Sequence, residues 1–185
     1  MPQMRRVRIS DKTGEPIPRE VPGTEVEACD CPVLDPADWH EVESDWTDIT
    51  FIKTATTALI GVPLGFGGTR DALAKKARDA GVEVPEDAML LIGAGKFRRP
   101  VMLEVEDVAD GKKGIERPGG IVYTRLVPAP WGKMGEEMAL TVAEARIKYG
   151  READNTWVWY LTCAKCSGAR NFETLFVAHY KQQAR

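Results

Sequence analysis

The stretch GGIVYTRLVPAPWGKMGEEMALTVAEARIKYG, residues 119–150, holds one strand and one helix in a fixed order. Its first ten residues, which end at Pro128, are rich in β-branched side chains and predict a strand. Apolar residues then recur at helical spacing and predict a helix over Lys133–Tyr149. Neither element can bury its apolar side alone, so the flanking sequence decides how the chain folds.

The flanking sequence supplies the missing strands. NTWVWYLT and NFETLFVAHY follow the helix, and each predicts a strand. Upstream, the pattern predicts a strand at 49–66 that bends near Gly61, a helix at 69–80 with Thr69 as its N-cap and Gly81 as its stop, and strands at 88–92 and 100–105. The order strand-helix-strand-strand therefore occurs twice. It predicts an α+β fold, with an antiparallel sheet and two helices on one side.

The first 48 residues differ from this pattern. They hold six of the twelve prolines of the chain, a density that favours extended and turn-rich backbone over helix. We therefore expect an N-terminal arm at residues 1–48, which carries a Cys-x-Cys, and a ligand-binding domain at residues 49–185.

The composition of the chain limits the kinds of partner that it is expected to bind. The chain has 185 residues, of which 43% are hydrophobic and 29% charged, as in globular proteins. A formal net charge of -3 gives no electrostatic reason to expect a nucleic-acid partner. No apolar run reaches the roughly 18 residues of a membrane span, and no secretory signal begins the sequence. The expected location is the cytoplasm, where structural disulfides are rare.

All four cysteines occur as close pairs in turn-like segments. Cys29 and Cys31 form a C-x-C, and Cys163 and Cys166 form a C-x-x-C. Zinc takes four thiolates in a tetrahedron, and each pair supplies two of them from one turn. The pairs therefore predict a shared structural zinc ion. Free thiols, a redox pair or an iron–sulfur cluster on the same ligands remain the alternatives.

The strand at 156–162 carries most of the aromatic side chains near the second pair. With a period of two, Trp157 and Trp159 face one side of the sheet, while Val158 and Tyr160 face the other. One side must cover the core, and the other is available to a ligand. A phenol such as Tyr160 can pack its ring and still present its hydroxyl group.

The second half of the chain resembles the GyrI-like small-molecule-binding domains, which also form the effector-binding part of some transcriptional activators. The resemblance spans residues 48–180 and is clearest after Arg117. The motif segments are the turn Pro118-Gly119-Gly120, the step Ala129-Pro130-Trp131 into the helix, the tyrosine-bearing strand at 156–162 and the closing strand FETLFVAHY.

The resemblance implies two pseudo-symmetric strand-helix-strand-strand modules with a groove that accepts flat, hydrophobic and often cationic small molecules. The residues that it places around such a ligand are Tyr123, Trp131, Val158 and Tyr160. Many relatives carry a glutamate where this chain has Val158, and that glutamate balances cationic ligands or acts as a catalytic base. Its replacement by valine favours a non-enzymatic binder.

Two other functions stay open. A hydrolase acting on a reactive apolar compound would need a carboxylate from another strand, and Glu104, Glu106 and Glu173 are the candidates. A regulatory module would instead use the cysteine-bearing arm to contact a partner protein. The two histidines, His40 and His179, are too few for a histidine-rich catalytic metal centre and are interpreted as structural.

Overall fold

The computed structural model describes residues 7–10, 29–59, 62–63, 68–106 and 114–181. The predicted bend at Gly61 and half of the N-terminal arm lie outside these ranges. The chain divides into two compact units: residues 45–120 make up most of unit 1, and residues 8–44 with 121–180 make up unit 2.

The elements of the described residues follow in chain order. They are β1 (Val7–Ser10), α1 (Pro36–Trp39), β2 (Val42–Asp45), β3 (Thr50–Leu59), β4 (Val62–Pro63), α2 (Thr69–Asp79), β5 (Leu90–Gly93), β6 (Arg98–Val105), β7 (Ile115–Glu116), β8 (Ile121–Pro128), α3 (Met134–Tyr149), β9 (Asn155–Tyr160) and β10 (Glu173–Tyr180).

Unit 1 is built around β6. This strand pairs antiparallel with β3 on one side and with β5 on the other. The short strands β4 and β7 each pair with β3. Helix α2 lies against β3 and β6, and Leu73 and Ala77 are its buried residues. Burial of these side chains against the strands supplies the core of the unit.

Unit 2 is built around β10, whose eight residues are all buried. This strand pairs antiparallel with β8 and β9, while β2 lies beside β8 and β1 beside β2. Helix α3 lies against β8 and β10. Ala145 of the helix packs with Tyr123, Ala178 and Tyr180 in one buried cluster.

The two units share one internal topology. In unit 1, β6 pairs with β3, which precedes the helix, and with β5, which follows it. In unit 2, β10 pairs in the same way with β8 and β9. The predicted strand-helix-strand-strand repeat and its antiparallel α+β class are confirmed in this sense. The GyrI-like identity of the fold stays a prediction.

The helices begin and end close to their predicted limits, at 69–79 for α2 and 134–149 for α3. The prediction of Thr69 as N-cap is wrong, because Thr69 is the first helical residue and Gly68 precedes it without a side-chain cap. No helix among the described residues has both the length and the apolar character needed to cross a bilayer.

The predicted long strand at residues 49–66 is also wrong. Strand β3 ends at Leu59, and Val62 pairs back onto Leu59 in antiparallel register. The β-branched composition correctly predicts extended backbone, but composition carries no information on where the direction of the chain reverses. The arm likewise contributes regular structure, since α1 and β2 lie within its residues.

Two glycines of α3 form a matched pair for a stability test. Gly150 ends the helix with φ +67°, a left-handed backbone that is strained in residues with a Cβ atom. Gly135 lies within the helix. A Cβ atom at either position meets no heavy atom within 4 Å. We expect Gly150→Ala to lower the free energy of unfolding by about 1 kcal/mol and Gly135→Ala to raise it by about 0.5–1 kcal/mol. Urea unfolding measures both, and equal shifts of the same sign would contradict the explanation.

Candidate metal centre and aromatic pair

The four cysteines lie on two segments of unit 2. Cys29 and Cys31 precede α1, which begins at Pro36 and is capped by the side chain of Asp35. Cys163 and Cys166 lie in the turn after β9, where the carbonyl oxygen of Cys163 accepts hydrogen bonds from the N–H groups of Cys166 and Ser167 at 3.2 and 2.9 Å. Neither cysteine pair lies in a helix or a strand.

The sulfur atoms have the spacing of a four-coordinate metal site. All four lie within 4.8 Å of one another, and those of Cys163 and Cys166 are 3.9 Å apart. A tetrahedron with zinc–sulfur bonds of about 2.3 Å has edges of about 3.8 Å. In a disulfide the two sulfur atoms lie about 2.05 Å apart, and none of the four cysteines forms one. The fold therefore assembles a cysteine cluster consistent with a metal site.

The surroundings shift the thiol pKa values of Cys163, Cys31 and Cys166 in different directions. Backbone N–H groups of Lys165 and Cys166 hydrogen-bond to Cys163 and lower the pKa of its thiol to about 7. Burial raises the pKa of Cys31 and of Cys166, and the neighbouring thiols raise that of Cys31 further. A metal ion must therefore displace protons from the more buried thiols when it binds.

The arm is also held by aromatic packing on the same unit. The rings of Trp39 and Trp159 meet edge to face at 5.9 Å and 67°. The hydroxyl group of Thr124 on β8 donates to the carbonyl oxygens of Trp39 and Val42 at 2.8 and 3.2 Å. One tryptophan of the predicted aromatic strand is thus part of the structural contact with the arm.

A buried ion pair that the sequence did not predict lies next to the centre. Arg170 and Glu173 have side chains 8% and 4% exposed, with 2.5 Å between Nη2 and Oε2. The intervening residues Asn171 and Phe172 have φ values of 50° and 56°, a left-handed backbone that costs about 1–3 kcal/mol per non-glycine residue. In sequence, only the arginine and glutamate at i,i+3 spacing hint at the pair.

Trp131 and Tyr160 form an aromatic pair on unit 2. Their ring centroids are 5.6 Å apart with the planes tilted by 39°. Trp131 is 64% exposed, and Tyr160 is half-buried. Trp131 lies in a 3-10 turn before α3, and Tyr160 ends β9. The structure brings together these two of the four residues expected to contact a ligand.

The other two residues lie in the interior. Tyr123 is 3% exposed, and its hydroxyl group donates to Glu144 on α3 at 2.9 Å. Burial, and then this hydrogen bond, raise the pKa of Tyr123. Val158 is 5% exposed. A glutamate placed there would be desolvated, and its pKa would rise, so it would be a poor counter-charge.

A polar network connects β8 to α3 around Tyr123. Arg125 pairs with Glu137 at 3.3 Å and with Glu144 at 3.2 Å. Lys148 pairs with Glu43 of β2, and its Nζ atom lies 5.9 Å from the centre of the Tyr123 ring. The side chain of Arg125 is 11% exposed, so these pairs are partly shielded from water and contribute more than surface pairs do.

The three carboxylates considered for hydrolysis have different surroundings. Glu104 is buried and accepts the backbone N–H of Met89 at 3.1 Å. Glu173 is paired with Arg170, and Glu106 is exposed at the end of β6. Neither Glu104 nor Glu173 has the exposed oxygen that a general base must present to substrate or water.

Both histidines are buried outside the cysteine cluster. Burial lowers the pKa of His40, whose Nε2 atom is 3.7 Å from Glu41. The Nδ1 atom of His179 lies 3.2 Å from the side-chain amide nitrogen of Asn155.

Together, the antiparallel units and the cysteine cluster define an α+β protein with a candidate metal centre in unit 2. The chain belongs to the family described as bacterial hydrolase, whose family model matches residues 22–179. No curated protein and no solved structure matches it. The matched region includes all four cysteines and the aromatic pair. The GyrI-like resemblance carries a different family name and remains a prediction.

Proposed function

We propose that this protein binds flat, hydrophobic small molecules at the pair formed by Trp131 and Tyr160, and that a structural zinc ion occupies the four-cysteine cluster. The observation that carries the binding function is the 64% exposure of Trp131 beside a second aromatic ring. A flat ligand would cover both rings and remove their apolar surface from water, and each ring contact adds about 0.5–1.5 kcal/mol.

Neutral ligands should be preferred over cations at this pair. Val158 stands where many relatives of the GyrI-like class carry a glutamate, and Lys133 lies two residues after Trp131. Lys133 is paired with Glu136 at 2.9 Å, so the negative charge of that carboxylate is already balanced. A cationic dye would therefore gain no ion pair from these residues.

The sulfur geometry supports a single zinc ion. An iron–sulfur cluster places several iron and sulfide atoms between its cysteine ligands and so spreads their sulfur atoms farther apart than one ion does. Four thiolates would fill the coordination sphere of zinc and leave no position for substrate or water. The proposed role of the ion is therefore structural: it joins residues 29–31 to residues 163–166.

Titration with a panel of neutral and cationic flat dyes, followed by dye fluorescence and calorimetry, tests the binding proposal. We expect neutral dyes to bind with Kd below about 1 mM, and Trp131→Ala to raise Kd about tenfold, a loss of 1.4 kcal/mol. Phe97→Ala is the matched control, because Phe97 is 72% exposed but belongs to unit 1. Absence of binding across the panel, or equal effects of the two variants, would reject the aromatic pair as a ligand site.

Hydrolysis of the bound compound is the second candidate, because the chain belongs to a family described as bacterial hydrolase. Glu144 is the carboxylate that we propose for it, because its side chain is 39% exposed whereas Glu104 and Glu173 are buried. Its carboxylate accepts a hydrogen bond from the Tyr123 hydroxyl group and pairs with Arg125. Mass spectrometry of ligands after incubation with the protein tests this activity. Turnover by the wild type that Glu144→Gln abolishes, with unchanged ligand binding, would support a hydrolase; turnover that persists in Glu144→Gln would exclude this residue.

A further inference from the structure

Arg170 lies between the two segments that carry the cysteines. It is 7% exposed. Its Nη1 atom donates to the carbonyl oxygen of Leu161 at 2.9 Å, and its Nη2 atom donates to that of Pro32 at 2.8 Å. Nη2 also faces Glu173 at 2.5 Å, so the buried charge is compensated.

The two carbonyl groups belong to the cysteine segments themselves. Pro32 directly follows Cys31, and Leu161 precedes Cys163 by two residues. The backbone N–H of Arg170 also donates to the carbonyl oxygen of Cys166 at 2.9 Å. One residue thus connects both cysteine pairs, which are 132 positions apart in sequence, without using a sulfur atom.

We infer that Arg170 is a positioning residue that assembles the four-cysteine site before a metal ion arrives. This inference rests on the metal site proposed above. In a chain without this connection, the metal ion would have to bring the two segments together and order them, and binding would be weakened by that cost. With the connection in place, the ion meets four sulfur atoms that are already within bonding range of one centre.

Lysine should not replace Arg170. The planar guanidinium group directs several N–H bonds at fixed angles, and here it reaches three acceptors on three different chain positions. An ammonium group is a point charge on a flexible stem and cannot reproduce this fork. Lysine would restore the positive charge but not the three directed hydrogen bonds. Arg170→Lys therefore distinguishes a positioning role from charge balance alone.

The matched control is Arg125. Its side chain is 11% exposed, against 8% for Arg170, and it also pairs with glutamates, but its partners lie on α3 and not on the cysteine segments. Arg125→Met therefore removes a shielded arginine of the same unit and leaves the contacts of Arg170 intact. Cys163→Ser is the variant that tests the metal site itself.

The experiment measures zinc affinity by competition with a chromophoric chelator, and amide hydrogen exchange at Cys31, Val33 and Leu34 in the metal-free protein. We expect Arg170→Met and Arg170→Lys to weaken zinc binding by about 10- to 100-fold at one ion per chain, as loss of outer-shell partners does elsewhere. These three amides should exchange faster in both metal-free variants, and Arg125→Met should change neither quantity more than twofold.

The outcomes separate the two proposals. If Cys163→Ser retains wild-type zinc affinity, the metal site is wrong. If Cys163→Ser loses zinc but both Arg170 variants bind it like the wild type, the site stands and the positioning role is overturned. Equal losses in the Arg170 and Arg125 variants would also overturn it, because they would indicate general destabilisation. Should Arg170→Met fail to fold, Arg170→Lys carries the comparison.

Discussion

Removal of the metal ion is expected to lower the free energy of unfolding by about 4 kcal/mol when free zinc is about a thousandfold above its Kd. The folded chain holds four sulfur atoms within 4.8 Å, whereas an unfolded chain must bring together cysteines 132 positions apart. The proposed zinc ion would therefore bind the folded state in preference to the unfolded state. For a domain of this length, the loss corresponds to a fall of about 8–16 °C in Tm.

Thermal unfolding of the zinc-loaded protein, before and after chelation, measures this effect. Zinc should restore the original Tm and magnesium should not, because thiolates prefer zinc over a hard cation. Cys163→Ser should reproduce the effect of chelation. Ser167→Ala is its control, since Ser167 lies in the same turn but is not part of the sulfur cluster. An unchanged Tm after complete removal of the ion would contradict a structural role.

The cysteine cluster could be predicted from sequence because its signal is chemical and local. Two close thiol pairs in turn segments each offer two metal ligands, so their meeting in space could be expected from chemistry without any knowledge of the fold. The helices were predictable for a related reason, since apolar spacing repeats within each segment. Both predictions depend on information that lies within a few residues.

The surroundings of the cluster could not be predicted in this way. Arg170 reaches Pro32 across 138 positions, and no periodicity or composition encodes such a contact. Tyr123 shows the same limit. The resemblance places Tyr123 beside a ligand, but the packing of α3 covers it, with Ala145 against the ring and Glu144 bonded to its hydroxyl group.

The prediction of one long strand at residues 49–66 failed for a third reason. Eight of the eighteen residues at 49–66 are β-branched, and Val62 pairs antiparallel with Leu59. Intrinsic strand preference is thus satisfied equally by one long strand and by a hairpin. The choice between them belongs to tertiary structure.

Glu173→Leu is expected to lower the free energy of unfolding by about 3–5 kcal/mol. The substitution leaves the guanidinium group of Arg170 buried without its counter-charge, and that desolvation cost is no longer offset. Arg170→Met has a related cost, because it leaves the carboxylate of Glu173 buried without its counter-charge. It also removes the donors to the carbonyl oxygens of Pro32 and Leu161. Urea unfolding of both variants measures these losses in the metal-free protein, where zinc cannot mask them.

A double-mutant cycle separates the ion pair from the rest of the contacts. In Arg170→Met/Glu173→Leu neither charge of the pair remains, so the double variant should be less destabilised than the sum of the two single variants, by about 0.5–3 kcal/mol. Glu136→Gln is the matched control, because Lys133 and Glu136 have the same i,i+3 spacing at 2.9 Å but are 61% and 58% exposed. Water already screens that pair, so its loss should lower the free energy of unfolding far less than loss of the buried pair does. Additive effects of the two interior substitutions would mean that the Arg170–Glu173 pair contributes no more to stability than the surface pair does.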